Sequence, residues 1–166
     1  MKSRSYILAV ALITSLFIYV FYRTERTVIN EIITHVVSAD SFFSLRAWVQ
    51  MNLPLNQIII FSLPEALWVL CATITSKTIY IGFGQTRISG AVVPIVYCIS
   101  LEFCQLSGLT NGTFNLMDIA LSAVSWLFAI IGFDNAVKPQ NLFGKVNKRS
   151  MVCIASYGIV YLSHVI

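Results

Sequence analysis

Residues 56–76 read "NQIIIFSLPEALWVLCATITS", a run whose single charged residue is Glu65. A helix that faces water needs a polar stripe, and this stretch has none. About 20 apolar residues cross the roughly 30 Å hydrocarbon core of a bilayer as a helix. A charge at such depth is costly unless it turns toward a bundle interior or a wet cavity. The stretch predicts a membrane-spanning helix, interrupted at Leu63-Pro64-Glu65, with a carboxylate that needs a reason to be there.

The rest of the chain extends that reading. Of 166 residues, 57% are hydrophobic and 11% charged, against about a quarter charged in an ordinary soluble domain. Further apolar runs cover about 6–22, 88–107, 116–133 and 151–166. Together they predict an all-α, polytopic transmembrane bundle of about five spans, with residues 1–166 forming a single integral membrane domain. The first run follows Lys2 and Arg4 and ends in aromatics and "YRTER" with no small-x-small cleavage site, so it reads as an uncleaved span rather than a signal peptide. Pro64 and Pro94 fit within spans, because neighbouring helices or waters can satisfy the carbonyls they free.

Segment 27–53 is too polar to span. Val28/Ile29, Ile32/Ile33 and Val36/Val37 recur every four residues, which draws an apolar stripe opposite Asn30, Glu31, Thr34 and His35. Asp40 or Ser41 is positioned to cap a second short helix carrying Phe42, Phe43 and Trp48. Two interfacial amphipathic helices are expected here, with the aromatics at headgroup level. Packing on the protein itself is the alternative.

Lys2, Arg4, Lys77, Arg87, Lys138, Lys145, Lys148 and Arg149 fall on one side of this topology, and Arg23, Arg26 and Arg46 on the other. Eight against three places the N-terminus in the cytoplasm by the positive-inside rule. That explains the net charge of +4 without invoking nucleic acid. Cys71, Cys98, Cys104 and Cys153 lie in apolar runs without a C-x-x-C pair, and read as packing residues rather than disulfides or zinc ligands. "GFGQTR", residues 82–87, lacks the lysine of a phosphate-binding loop and reads as the inner turn between spans two and three. His35 and His164 are expected at the interface, and Asn111-Gly112-Thr113 in a turn.

The polar residues of "LEFCQLSGLTNGTFNLMDIA", residues 101–120, then fall at one depth. Glu102 and Gln105 share a face at the outer end of the third span, above Cys98. Asp118 opens the fourth, with Ser122 and Ser125 continuing its face. Glu65 lies in the outer half of the second. Glu65, Glu102, Gln105, Asp118 and Ser122 are therefore expected to line a polar pocket open to the outer leaflet, with the outer-loop Arg46 pairing one carboxylate. The structural alternative makes Asp118 a partner of its own helix dipole and Glu102 and Gln105 interhelical hydrogen-bonding groups.

In these residues the chain resembles the VanZ-like family of small bacterial membrane proteins. The resemblance rests on Glu102-x-x-Gln105, a Gly-containing loop with Phe114, Asp118 opening the next helix, and the "LPEALW" segment from Leu63 to Trp68. It covers roughly residues 56–133. An arginine common in the family's outer loop is missing between Gln105 and Asp118, and Ser122 and Ser125 stand where Asn and Gly are usual. The family is linked by name to glycopeptide (teicoplanin) resistance. The resemblance implies a protein of the bacterial cytoplasmic membrane acting at the cell envelope, and no catalytic mechanism.

The leading expectation is a non-enzymatic protein whose pocket binds a lipid headgroup or a protein partner. Its expected partners are membrane lipids, an envelope protein or a second copy, with no nucleic acid, no cofactor and no resident metal. One alternative is an enzyme using the carboxylates to hold Mg²⁺ or Ca²⁺ against a lipid-linked phosphate. Another is a proton- or ion-coupled carrier, for which five spans without a repeat are poorly suited. Glu65, Glu102 and Asp118 carry all three readings.

Overall fold

The computed structural model describes residues 2–23, 28–83, 86–110, 112–133, 140–141 and 147–162. The described chain is mostly helical: α1 (Lys2–Tyr22), α2 (Val28–Val36), α3 (Ala39–Asn52), α4 (Gln57–Phe61), α5 (Leu63–Ser76), α6 (Val93–Leu106), α7 (Leu116–Gly132) and α8 (Lys148–Leu162). A small sheet joins them, built from β1 (Ile79–Phe83), β2 (Thr86–Ser89) and β3 (Gln140–Asn141) in the order β2-β1-β3. Two helical stretches, Ser5–Tyr22 and Gln57–Ser76, are long and apolar enough to cross a membrane, and Gly90–Leu106 and Leu116–Gly132 are shorter apolar helices.

α5 is the axis. A helix that is apolar on every side must be surrounded, and Val69, Cys71, Ala72, Thr73 and Ile74 are all fully buried. Trp68, Val69 and Ala72 pack with Cys98 of α6, against which Trp126 of α7 and Tyr157 of α8 close. Leu70 and Ile74 pack with Ala129 of α7 and with Leu8 of α1. The Trp68 indole donates to the Ser156 carbonyl at 2.8 Å, tying α5 to α8.

End-to-end contacts fix the sense of each helix. Ser15, late in α1, donates to the Pro64 carbonyl at the start of α5, while Leu8 lies beside its middle, so α1 and α5 are antiparallel. Asp118 begins α7 near Glu65, and at the other end Lys77 donates to the carbonyls of Ala129 (3.2 Å), Ile130 (2.8 Å) and Phe133. α5 and α7 therefore run in the same direction. The Lys77 ammonium satisfies carbonyls that a helix C-terminus leaves without partners. α6 runs back between those ends: Ala91, just before it, accepts from the Trp126 indole at 2.8 Å, and Glu102 finishes it beside Glu65 and Asp118.

The prolines act at helix starts. Pro64 lacks an N–H and crowds the carbonyl four residues back, so α4 stops at Phe61 and α5 restarts at Leu63 around the single turn residue Ser62. Pro94 falls in the first turn of α6, where a missing N–H costs nothing; a 3₁₀ turn over Gly90–Val92 leads into it. At Gly90 an added Cβ would stand 2.9 Å from the carbonyl oxygens of both Ser76 and Ile79. Only glycine lets the entry to α6 lie on the end of α5.

Three expectations need correction. The stretch read as a simple inner turn is instead an antiparallel hairpin pairing Ile81 with Ile88 and Gly82 with Arg87, and β3 joins β1 in parallel. Its alternation spans too few residues to stand out beside long apolar runs. On α2 the expected stripe does not separate buried from exposed residues: Asn30 is buried, while Ile32 and Val36 are exposed along with Glu31 and His35. α3 starts from Ser38, whose Oγ bonds Ser41 Oγ at 2.7 Å, rather than from Asp40 or Ser41. Phe42 is buried, whereas Phe43 and Trp48 are exposed, as is His35. His164, Arg26 and Asn111 lie outside the described residues. All four cysteines are free thiols.

Candidate functional site

Three helix ends converge: the first turn of α5, the last turn of α6 and the first turn of α7. They bring one carboxylate oxygen each from Glu65, Glu102 and Asp118 to within 4.8 Å of one another. Glu65 and Asp118 are half-buried and sit at helix N-termini, where the macrodipole favours negative charge. Glu102 is 0% exposed and sits at the C-terminal end of α6, where the dipole opposes it.

Local donors offset that placement. Glu102 Oε2 accepts the backbone N–H of Asn115 at 2.8 Å. The Gln105 amide nitrogen, one turn on, lies 3.3 Å from Glu102 Oε1 and 3.2 Å from the Thr113 carbonyl, bonds it makes with its amide turned to face them. Gly112 leaves room for this: its φ is +130°, and a Cβ there would stand 2.8 Å from the end of the Gln105 amide. Gln105 is thus a clamp on the loop as well as a lining residue.

Asn115 organises both sides of the cluster. Its Oδ1 caps α7 by accepting from the Met117 N–H at 3.0 Å, while its Nδ2 donates to Asp118 Oδ1 at 2.9 Å. One residue therefore holds an oxygen of Glu102 with its main chain and one of Asp118 with its side chain. Sequence reasoning missed it. The signal was present, because an Asn immediately before an apolar-periodic run, with an acid three residues later, is a helix N-cap pattern.

Beneath the carboxylates lies Cys98, fully buried and beside both Glu65 and Ser122. Ser122, one turn along α7 from Asp118, is 0% exposed, and its hydroxyl meets the Cys98 thiol. Ser125 is half-buried on the same helix.

Arg46 does not pair with a carboxylate. It is buried on α3 and donates from Nη2 to the Arg23 carbonyl, with Nη1 left unpartnered among the described residues. Among the described residues the basic side chain whose charge is felt at Glu65 is Arg23, more weakly than burial or the neighbouring acids. Its guanidinium lies 5.2 Å from the Tyr19 ring centre and 5.3 Å from that of Phe61, a cation–π seat. Sequence spacing could not separate two arginines of one side; the packing of α3 on α1 does.

The structure therefore brings together Glu65, Glu102 and Asp118, with Gln105 on Glu102 and Ser122 below, and leaves Arg46 outside. Crowded oxygens of this kind suit a hard cation or an ammonium group. Comparison with protein families, curated proteins and solved structures returns no match for this chain.

Proposed function

We propose that this chain is a VanZ-like, multi-pass protein of the bacterial cytoplasmic membrane, with its N-terminus in the cytoplasm, which binds a lipid headgroup in an acidic pocket opening to the outer leaflet. The observation that carries the reading is the meeting of Glu65, Glu102 and Asp118, from three separate helices, inside an otherwise apolar bundle. Scattered toward lipid, each would cost several kcal/mol. Gathered at one end, they make a site that faces headgroups.

The five-span reading draws support from surface chemistry and length. Ile131 is 78% exposed, and Ile13, Val124 and Ile154 are exposed beyond half, so three different helices turn bulky apolar groups outward. Water does not favour so much exposed apolar surface; lipid does. Gly90–Leu106 and Leu116–Gly132 rise about 25 Å each at 1.5 Å per residue, a shortfall that local thinning and snorkelling absorb. α1, α5, α6 and α7 alternate in direction as successive spans must. On α2 and α3, exposed Val36, Phe43 and Trp48 suit the interface beside the pocket. The residues bearing the VanZ-like resemblance, Glu102, Gln105 and Asp118, are among those that converge.

Two experiments test this. A photoreactive phospholipid should cross-link to the wild type and much less to Glu102→Gln and Asp118→Asn; equal cross-linking in correctly inserted variants would refute headgroup binding. In a Cys104→Ser background, an impermeant maleimide applied to intact cells should label Thr110→Cys and spare Thr86→Cys. The reverse pattern would overturn the orientation.

A further inference from the structure

We infer that Arg23 and Arg46 form an anion seat at the C-terminal end of α1, which takes the phosphate of a membrane phospholipid. This deepens the lipid-headgroup reading and rests on it for the source of the phosphate. Gathered carboxylates repel a phosphate, so a phosphate-bearing headgroup needs a cationic seat of its own beside them.

Arg46 provides the first observation. Phe42, Arg46 and Gln50 recur every four residues on one face of α3, and that face meets the end of α1. Gln50 donates to the Phe21 carbonyl at 2.6 Å, and Arg46 Nη2 to the Arg23 carbonyl. A helix C-terminus leaves such carbonyls without partners, and Gln50 shows that a neutral amide serves them. Burying a cation for the same task is costly unless the charge is paired. Arg46 is only 8% exposed, and its Nη1 is enclosed with no partner among the described residues. A guanidinium is a planar fork that keeps its charge at any physiological pH. Half of this fork has no acceptor, which is unfavourable for a buried donor. An anion supplies the missing partner.

Arg23 provides the second, independently. Its guanidinium lies over the Tyr19 and Phe61 rings, 5.2 Å and 5.3 Å from their centres. Cation–π contacts hold the group in place without consuming its N–H donors. Among the described residues, no carboxylate forms an ion pair with it and no carbonyl accepts from it. The two arginines are also neighbours. Arg46 bonds the main-chain carbonyl of Arg23 itself, so their guanidinium groups stand no farther apart than one arginine side chain and one hydrogen bond allow. Like charges at such range repel, and an oxyanion shared between them reverses the balance. Paired N–H groups of arginine match the oxygens of a phosphate. The charge of Arg23 is felt at Glu65, which places the seat beside the acidic pocket. Phe43 and Trp48 are exposed on the same helix as Arg46, and aromatics of this kind sit at headgroup level, where lipid phosphates lie.

The test uses the full-length protein in non-ionic detergent. It is titrated with a photoreactive phosphatidylethanolamine and, separately, with a photoreactive diacylglycerol of the same chains and no phosphate. The phospholipid should half-saturate the wild type at a concentration about tenfold lower than the diacylglycerol. Arg23→Gln and Arg46→Gln should each raise the phospholipid value about tenfold and leave the diacylglycerol value as it is. Arg46→Lys, which keeps the charge and loses the fork, should fall between. Arg46→Gln retains an amide for the Arg23 carbonyl, and circular dichroism checks that each variant folds; if Arg46→Gln does not, Arg23→Gln at its half-buried position decides. Equal affinity of the wild type for the two lipids, or an unchanged phospholipid value in folded Arg23→Gln, would overturn the inference. Full displacement of the phospholipid by millimolar inorganic phosphate would make free phosphate the ligand and overturn the lipid assignment. The two readings fail separately. Binding lost in the arginine variants but kept in Glu102→Gln and Asp118→Asn would keep this seat and sink the acidic pocket. The opposite pattern would keep the pocket and sink the seat.

Discussion

Replacing Asn115 with Ala isolates the residue that orders the cluster. The substitution removes the Oδ1 cap on the Met117 N–H and the Nδ2 bond to Asp118, and it leaves the backbone bond to Glu102 in place. Loss of an N-cap costs about 0.5–2 kcal/mol, typically about 1. Loss of a hydrogen bond to a charged group costs about 1.5–3 kcal/mol, and the lower end applies here because Asp118 is half-buried and water can replace the donor. The sum is about 2–3 kcal/mol. For a chain of this size each kcal/mol moves the unfolding midpoint about 2–4 °C, so Asn115→Ala should lower Tm by about 4–12 °C. Asn115→Ser keeps an oxygen for the cap and loses only the donor to Asp118, so it should show the hydrogen-bond share of that loss, about 1.5 kcal/mol. The assay is tryptophan-monitored thermal unfolding in detergent, with α-helical circular dichroism as a control. A midpoint for Asn115→Ala indistinguishable from wild type would refute the clasp, and equal losses in the two variants would refute its division between cap and Asp118.

Other substitutions probe the same framework. Lys77→Met should destabilise the protein by about 1.5–3 kcal/mol, since the Ala129, Ile130 and Phe133 carbonyls lose a charged donor; a neutral result in thermal unfolding would mean that water or a neighbour caps α7. Gly112→Ala forces a Cβ onto the Gln105 amide at φ +130° and should cost about 1–3 kcal/mol while reducing lipid cross-linking, whereas Gly108→Ala, with nothing near its Cβ, carries the backbone strain without that clash. Trp68→Phe removes the indole bond to Ser156, and about 1 kcal/mol of stability with it; protease sensitivity at α8 should rise before global unfolding changes. Glu102→Gln, which keeps an oxygen for the Asn115 N–H, should reduce phospholipid cross-linking with little change in Tm. A collapse in stability with binding intact would identify Glu102 as a structural tie instead.

Composition and apolar periodicity made much of the architecture legible. Long runs such as Gln57–Ser76 read as helices that must be surrounded, because an unbroken apolar surface needs lipid or a protein shell. Short elements were not legible: five- and four-residue strands carry little pattern, and the burial of Asn30 depends on neighbours that periodicity does not report. At the site, the places of Glu65, Glu102 and Asp118 near the ends of their helices followed from the apolar runs. Their mutual distance did not.

The chain's residues by themselves determined which segments are helical and apolar, and which of their ends bear carboxylates, since both depend on local composition and on a period of 3.6. Tertiary structure alone decided that those carboxylates come within 4.8 Å, that Asn115 holds two of them, and that Arg46 bonds the Arg23 carbonyl rather than a carboxylate. Those facts depend on the rotation and approach of whole helices. The packing of Cys98, Trp68 and Ala129 around α5 sets both, and contacts between residues distant in sequence leave no mark on their spacing.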